Sequence, residues 1–330
     1  MKYHFLWSSE RSGSNLITKL LNANQLICGP SPTHCIRLIA QNINRYGNLK
    51  NDKNWNIFIT DIHAYLSNIL GELEANFSLE GLRKITPRSS PNIIKYIYDK
   101  EAKSQNKDIL FIKENRVYQY LPYILTHFPN SKHIYIVRDP RDTILSYKKA
   151  INIPVGLMDA TKIWIRDQTN FLLCYGFLKE ASRCKIYQYE NLISNTPDVL
   201  NDICNFLNVP YSQSMMDYHM EKDNKLKANK WHEWKNLEKP VMEGNFNKFE
   251  KELSVEEIIY IENKASKLME THNYRKYIIE NNVLNEQQLL ILKNENAETL
   301  KYKDSLESSE IRTNRLNIIE NVLTRKFNLE

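Results

Sequence analysis

The sequence predicts a three-layer α/β domain with a central parallel sheet, followed by C-terminal helices, and three observations carry this. Short strand-like runs recur at Tyr3 to Trp7, Ile109 to Ile112, His133 to Val137 and Lys185 to Tyr189. Each ends in a polar loop, and segments of helical spacing lie between them. The chain has 330 residues, enough to bury a sizeable core. Strands alternating with helices favour parallel pairing with helices on both faces.

Taken in order, Tyr3-His4-Phe5-Leu6-Trp7 is a bulky run that stops at a Ser/Gly-containing turn, after which Leu16, Leu20 and Leu21 mark a helix over 15–23. Residues 40–108 are polar and mainly helical, with breaks at Pro87 and Pro91. They separate the first strand from the next without interrupting either, so they read as an insertion beside the active face. Ile109 to Ile112 is the second strand, Val117 to Phe128 a helix ended by Pro129-Asn130, and His133 to Val137 the third strand. A long amphipathic helix over Asp159 to Ser182, a fourth strand and a helix over Thr196 to Leu207, opened by Pro197, complete the domain.

Beyond Tyr277 the character changes. Residues 283–330 hold no Pro, Gly or Cys, and their stripes (Leu289/Leu292 and Ile311/Ile318/Val322) are interrupted by Lys303 and Arg315 before a long heptad seam can form. The expected division is a domain over 1–280 and a helical extension over 281–330 that offers a surface for self-association.

Composition narrows the function classes. With 42% hydrophobic and 25% charged residues the chain reads as an ordinary globular protein. Only 8 residues are Gly, and no G-x-G or G-K occurs, which removes the dinucleotide fingerprint and the Walker phosphate loop as written. The five cysteines form no C-x-x-C pair, so neither a disulfide framework nor a zinc site is expected, and no ligand cluster with metal spacing is present. The apolar start, MKYHFLW, is too short for a leader, and no segment reaches the 18 or more apolar residues of a membrane span. A cytoplasmic location is the expectation. The net charge of +6 lies in the domain, where 38 basic residues face 31 acidic ones, while the extension is slightly acidic. That excess could serve nucleic acid, acidic lipid or a small anionic cofactor; with anion sites at two strand ends, the small polyanionic cofactor becomes the expectation and neither nucleic acid nor membrane is needed.

In open parallel sheets ligands bind beyond the carboxyl ends of the strands. The first strand ends in Ser8-Ser9-Glu10-Arg11-Ser12-Gly13-Ser14-Asn15, where a helix start with free amides, Arg11, Ser12 and Ser14 would hold an anion. Ser14 could instead serve as a simple N-cap. The third strand ends in Arg138-Asp139-Pro140-Arg141-Asp142, with Ser146 eight residues after Arg138, so a second anion could sit between guanidinium and hydroxyl. Lys113-Glu114-Asn115 ends the second strand between the two, and Tyr189-Glu190-Asn191-Leu192 ends the fourth.

Read together, RSGSNLITKLL, FPNSKHIYIVRDPRDTILSY and QYENL resemble the sulfotransferases that use 3′-phosphoadenosine 5′-phosphosulfate (PAPS), in particular their bacterial, carbohydrate and tyrosylprotein branches. The likeness spans about residues 1–275. It implies a P-loop-like fold, PAPS as donor, and sulfuryl transfer to a hydroxyl or amine of a carbohydrate, phenol, peptide or small metabolite. It also implies that Arg11, Ser12, Gly13, Ser14 and Asn15 hold the 5′ end, and Arg138 and Ser146 the 3′-phosphate. Tyr189 matches a motif bordering the nucleotide, and Lys248, ahead of Leu253-Ser254, matches a late cofactor-covering segment with Phe249 in place of Trp. Asn15 stands where Thr is usual, and Glu114-Asn115 replace a Thr-Pro after Lys113.

Such a reaction needs cations at the leaving phosphate, for which Arg11 and Lys113 are the candidates, and a base for the acceptor proton. The family's Glu after the first helix is missing. Cys28-Gly29-Pro30-Ser31-Pro32-Thr33-His34 stands there, and His34 is the first candidate base, although it could merely open the following helix. Glu114 is the second, needing a raised pKa that nearby cations would oppose. Two alternatives stay open: a catalytically inactive relative that binds nucleotide and partners, and a kinase, against which the missing G-K-[ST] counts.

Overall fold

The computed structural model describes residues 1–69, 71–151, 153–220, 236–278, 282–304, 306 and 310–326. Five parallel strands, β1 (Lys2–Ser8), β2 (Ile27–Cys28), β3 (Ile109–Lys113), β4 (Lys132–Val137) and β5 (Cys184–Gln188), form one sheet in the order β2-β3-β1-β4-β5. Four of these coincide with the expected runs. The two-residue β2 does not register in the sequence pattern, because a strand that short carries no periodicity.

The helices that follow in chain order are α1 (Ser14–Asn22), α2 (Cys35–Asn42), α3 (Asp52–Leu66), α4 (Leu79–Arg83), α5 (Ser90–Ser104), α6 (Leu121–His127), α7 (Pro140–Lys149), α8 (Leu157–Glu180), α9 (Tyr189–Ser194) and α10 (Thr196–Leu207). Short and long helices then run over Phe249–Glu252, Val255–Thr271, Glu286–Asp304 and Glu310–Leu323. The helix expected over 117–128 is split: Val117–Gln119 is a 3-10 turn, and α6 begins only at Leu121, with Pro122 in its first turn where a missing N–H costs nothing. Pro91 likewise opens α5.

Alternation along the strands builds two cores. Phe5 and Trp7 of β1, Leu110 and Ile112 of β3, and Tyr135 and Val137 of β4 face one apolar cluster, which takes Trp55, Phe58 and Ile62 of α3, Ile94 and Ile97 of α5, and Trp164 and Phe171 of α8. Leu6, Phe111, Ile134 and Ile136 face the other, with Ile17, Leu20 and Leu21 of α1 and Leu200 and Ile203 of α10. Those three α1 side chains are fully buried, which at ~1.5–3 kcal/mol each pins the helix start against the sheet. Residues 40–108 therefore supply much of the layer over one sheet face.

The chain leaves β1 toward β2 on one side, and β4 toward β5 on the other. The crevice at the carboxyl ends of β1 and β4 is the topological switch point. Strand register carries Ser8, Lys113, Val137 and Gln188 to that edge.

The two C-terminal helices return to the body. Leu292 and Val322 are buried in its apolar clusters, and the two basic residues that interrupt the heptads, Lys303 and Arg315, are only 7% exposed. Part of each stripe is thus spent within the chain.

Candidate active site

The loop after β1 is bent at two positive-φ residues, Arg11 (66°) and Gly13 (81°). A Cβ on Gly13 would lie 2.2 Å from a ring carbon of Tyr189, so the loop rides directly on that ring. Gly13 precedes α1, and no side chain caps the helix. The Ile17 amide bonds back to the Gly13 carbonyl at 3.2 Å, leaving the amides of Ser14, Asn15 and Leu16 without an intrahelical acceptor. That helix start, with the macrodipole behind it, attracts an anion.

Arg138 closes the loop from β4. Its Nη1 donates to the Arg11 carbonyl at 3.1 Å, its Nη2 donates to the Asn245 carbonyl at 3.2 Å, and its guanidinium stacks 4.4 Å over the Tyr189 ring. Asn245 in turn donates Nδ2 to the Tyr189 hydroxyl at 2.9 Å. Arg11 extends its Nε to Ser146 Oγ at 3.0 Å. On the other flank Lys113 Nζ reaches Asn15 Oδ1 at 2.6 Å, and Asn115 Nδ2 donates to Glu10 Oε1 at 2.8 Å. Burial pushes the Lys113 ammonium down to about 8, with Glu10 acting against that shift and Arg11 adding to it.

Beside this edge lies a second group. His34, with φ 57°, sits in the left-handed region just before α2. Its Nδ1 is 3.3 Å from Oε2 of Glu114, a carboxylate 1% exposed. The other Glu114 oxygen accepts the Ile36 amide at 3.3 Å, while the Tyr98 and Tyr120 hydroxyls approach the carboxylate at 3.4 Å. Burial lowers the pKa of His34 more strongly than Glu114 raises it, with Arg315 and Arg37 adding to the lowering. The imidazole is therefore neutral near pH 7, with Nδ1–H donating to Glu114 and Nε2 left as the basic atom. The first and second candidate bases of the sequence are thus one pair.

Every expected site residue except Lys248 enters or borders this network. Lys248 is exposed, and it is its neighbours that are tied down: the amides of Asn247 and Phe249 donate to Asp142 at 2.7 and 3.1 Å. The Trp231-His232-Glu233-Trp234-Lys235 motif lies outside the described residues. Residues that the sequence did not single out include Asn245, Glu10, Tyr98 and Tyr120. Glu10 lies in the first strand-end loop with no role read for it, the other three belong to no motif, and only the folded chain brings them within reach. Glu190 accepts the Asp139 amide at 3.0 Å and the Tyr274 hydroxyl at 2.8 Å, thereby fixing the turn that carries Arg138.

Comparison with known proteins decides the family. Residues 5–213 match the model described as "Sulfotransferase family". The chain belongs to the sulfotransferase family. Two sulfotransferase domains share its fold: that of the Synechococcus PCC 7002 olefin synthase (20% identity, 83% of this chain and 95% of that one, TM-score 0.55) and that of the curacin biosynthetic pathway (21% identity, 81% and 97%, TM-score 0.52). A Caenorhabditis briggsae protein whose name assigns it as a protein-tyrosine sulfotransferase is 30% identical over 104 residues. That match takes in 30% of this chain and 37% of the relative's length. As a sulfotransferase-family chain it also presents no helix, among the described residues, long and apolar enough to cross a membrane.

Proposed function

We propose that this protein transfers the sulfuryl group of PAPS to a hydroxyl or amine of an acceptor, with His34 as general base. The observation that carries the reading is the junction of Arg138, Arg11 and Ser146 at the switch point, beside the uncapped start of α1. The residues fit a nucleotide with phosphates at both ends. Ser12 Oγ and Arg138 Nε are buried there without a partner among the described residues, so two donors await an acceptor. The Arg138 guanidinium and the Ser146 hydroxyl would hold the 3′-phosphate, and residues 11–15 the 5′ end, with Tyr189 bordering the nucleotide.

PAPS, when bound, supplies an activated sulfuryl group whose displacement leaves negative charge on a phosphate oxygen. The α1 amides, Arg11 and Lys113 are fixed donors and cations for that charge, and being preorganised they need not reorient as it develops. Lys113 now spends its ammonium on the Asn15 amide oxygen, a neutral partner it can exchange for an anion. His34 Nε2 takes the acceptor proton, while Glu114 holds the ring in the required tautomer and stabilises the imidazolium that results. The domain over 1–280 would hold all of these residues, with 40–108 beside the acceptor.

The test is binding of adenosine 3′,5′-bisphosphate in a thermal-shift assay with a chelator present. Stabilisation of the wild type and none in Arg138→Ala is the expected result. An unchanged shift in the variant would overturn the cofactor assignment, and a shift that needs Mg²⁺ would favour the kinase reading. Radiolabelled PAPS offered to tyrosyl peptides, carbohydrates, phenols and small metabolites would then identify the acceptor. Tyrosyl peptides come first because of the assigned activity of the nematode relative.

A further inference from the structure

The Thr33–His34 turn is the most tightly bound unexplained feature beside the base. A left-handed conformation at a non-glycine residue costs roughly 1–3 kcal/mol and persists only where the surroundings determine it. Here Thr33 Oγ1 pairs with the Tyr98 hydroxyl at 2.9 Å and accepts the Cys35 amide at 3.0 Å. Glu114 takes the His34 ring and the Ile36 amide. The remaining anchor comes from 282 positions away: Arg315 Nη2 in the last helix donates to the Thr33 carbonyl at 2.9 Å. The same guanidinium hydrogen-bonds the Tyr65 hydroxyl and stacks 4.7 Å over its ring.

The helix bearing Arg315 is itself fixed to the body. Arg45 donates to the carbonyls of Leu323 and Arg325, at 2.9 and 2.6 Å, and Arg325 pairs with Asp61 at 2.8 Å. The preceding helix, Glu286–Asp304, sends Lys303 Nζ to the carbonyls of Tyr147 and Val155, at 2.8 and 3.0 Å, next to Ser146. The extension thus touches the site twice, each time with a buried cation on a backbone carbonyl.

We infer that Arg315 is a positioning residue of the active site, and that the C-terminal extension completes the base pocket by holding the Thr33–His34 peptide in the geometry that sets the imidazole on Glu114. This rests on the reading of His34 as base. A guanidinium is suited to the task because one arm of its planar fork, Nη2, serves the carbonyl and the hydroxyl while the plane lies on the aromatic face, a stacking that an ammonium lacks. The charged and titratable groups around His34 are Glu114 from the end of β3, Arg37 and Cys35 from α2, Tyr65 from α3, Tyr98 from α5, Tyr120 ahead of α6 and Arg315. Removing Arg315 takes one of the two cations from that set, so the imidazole should protonate more readily.

The readouts of the positioning role need no acceptor. Histidine ring titration by NMR, with the His34 signal assigned by its loss in His34→Gln, is combined with amide exchange at Cys35 and Ile36, both in the full chain. In Arg315→Met the His34 midpoint should rise and both amides should exchange at least tenfold faster. In Arg315→Lys, where charge stays but the fork is lost, the faster exchange should appear with little movement of the midpoint. The adenosine 3′,5′-bisphosphate shift should persist in both. Unchanged exchange in both variants, or loss of nucleotide binding with them, would overturn the positioning role. Near-normal turnover in His34→Gln would instead sink the base reading and leave these readouts standing.

Discussion

At the edge proposed for the nucleotide, Arg11, Lys113, Arg138 and Ser146 come from three strand ends and one helix; Arg11 joins Arg138 and Ser146, and Lys113 joins Asn15 of the same loop, through side chain–side chain and side chain–carbonyl contacts of 2.6–3.1 Å. In the base pocket beside it, one strained histidine is held by a buried carboxylate and by residues as far along the chain as Arg315. The first region is a set of donors that the proposed function assigns to an anion, and its geometry follows from the parallel sheet. The second is already bonded except at the basic ring nitrogen and at Arg315 Nη1, which is buried without a partner among the described residues, and its geometry follows from packing between distant helices. A substitution at the nucleotide edge should therefore show up in binding, and one in the base pocket in turnover.

The largest expected effect tests that division at its sharpest point. His34→Gln should lose about 10²–10⁴ in turnover, the usual worth of a positioned base, while the thermal shift with adenosine 3′,5′-bisphosphate stays as in the wild type. Glu114→Gln should follow it in direction with a smaller loss, since the ring stays in place but its imidazolium is no longer stabilised. If either variant lost nucleotide binding with turnover, the two regions would be one unit and the comparison would fail.

How much of this could be read from the chain follows the same line. The four longer strands and the residues at their ends were legible because each strand is a contiguous run whose end must fall on one sheet edge once the pairing is parallel. Arg11, Arg138 and Ser146 were singled out by their places after strand ends and by the family resemblance, and the fold brings them together. The joining of His34 to Glu114 was not, because the two are 80 positions apart and nothing in either segment encodes the contact. Arg315 was visible only as a fault in a heptad pattern. That fault is a buried cation with a carbonyl to bind, and a polar residue in an apolar stripe is the signal that could have led to it.

A smaller effect is expected at Gly13. Gly13→Ala puts a Cβ into the Tyr189 ring and requires a positive φ of a residue that resists it. A penalty of about 1–3 kcal/mol for such a backbone position, or roughly 5- to 150-fold in affinity, should fall on nucleotide binding by calorimetry. Turnover at saturating PAPS should be less affected, which is the mirror image of His34→Gln.

Acid pH offers a further contrast, provided global unfolding is separated from the site. Burial lowers the pKa of His133 to about 3 and of His4 and His272 to about 4, so all three are neutral in the folded chain. Unfolded, each would titrate near 6.5. Between those values the unfolded state binds more protons, so stability falls as pH drops, by up to about 4 kcal/mol per pH unit for three protons. Denaturant unfolding at pH 7, 6 and 5 should show this decline. With His34 as the proposed base, the acid limb of turnover should be its titration, and because its pKa too is depressed, the limb should lie below the ordinary histidine value. A limb that instead tracks the unfolding curve would assign the pH dependence to the core.

Lys248 should give the smallest change. Its side chain is exposed, while its backbone segment is held to α7 by Asp142 and to Arg138 through Asn245. If Lys248 approaches the nucleotide it does so as a solvated charge, and an exposed ion pair is worth about 0–1 kcal/mol, or at most about fivefold in affinity. Lys248→Ala should therefore weaken adenosine 3′,5′-bisphosphate binding by no more than that, with the loss shrinking as salt is raised. A loss as large as that of Arg138→Ala would mean that the segment folds down over the bound nucleotide and buries the ammonium. The nucleotide edge would then share the long-range character of the base pocket.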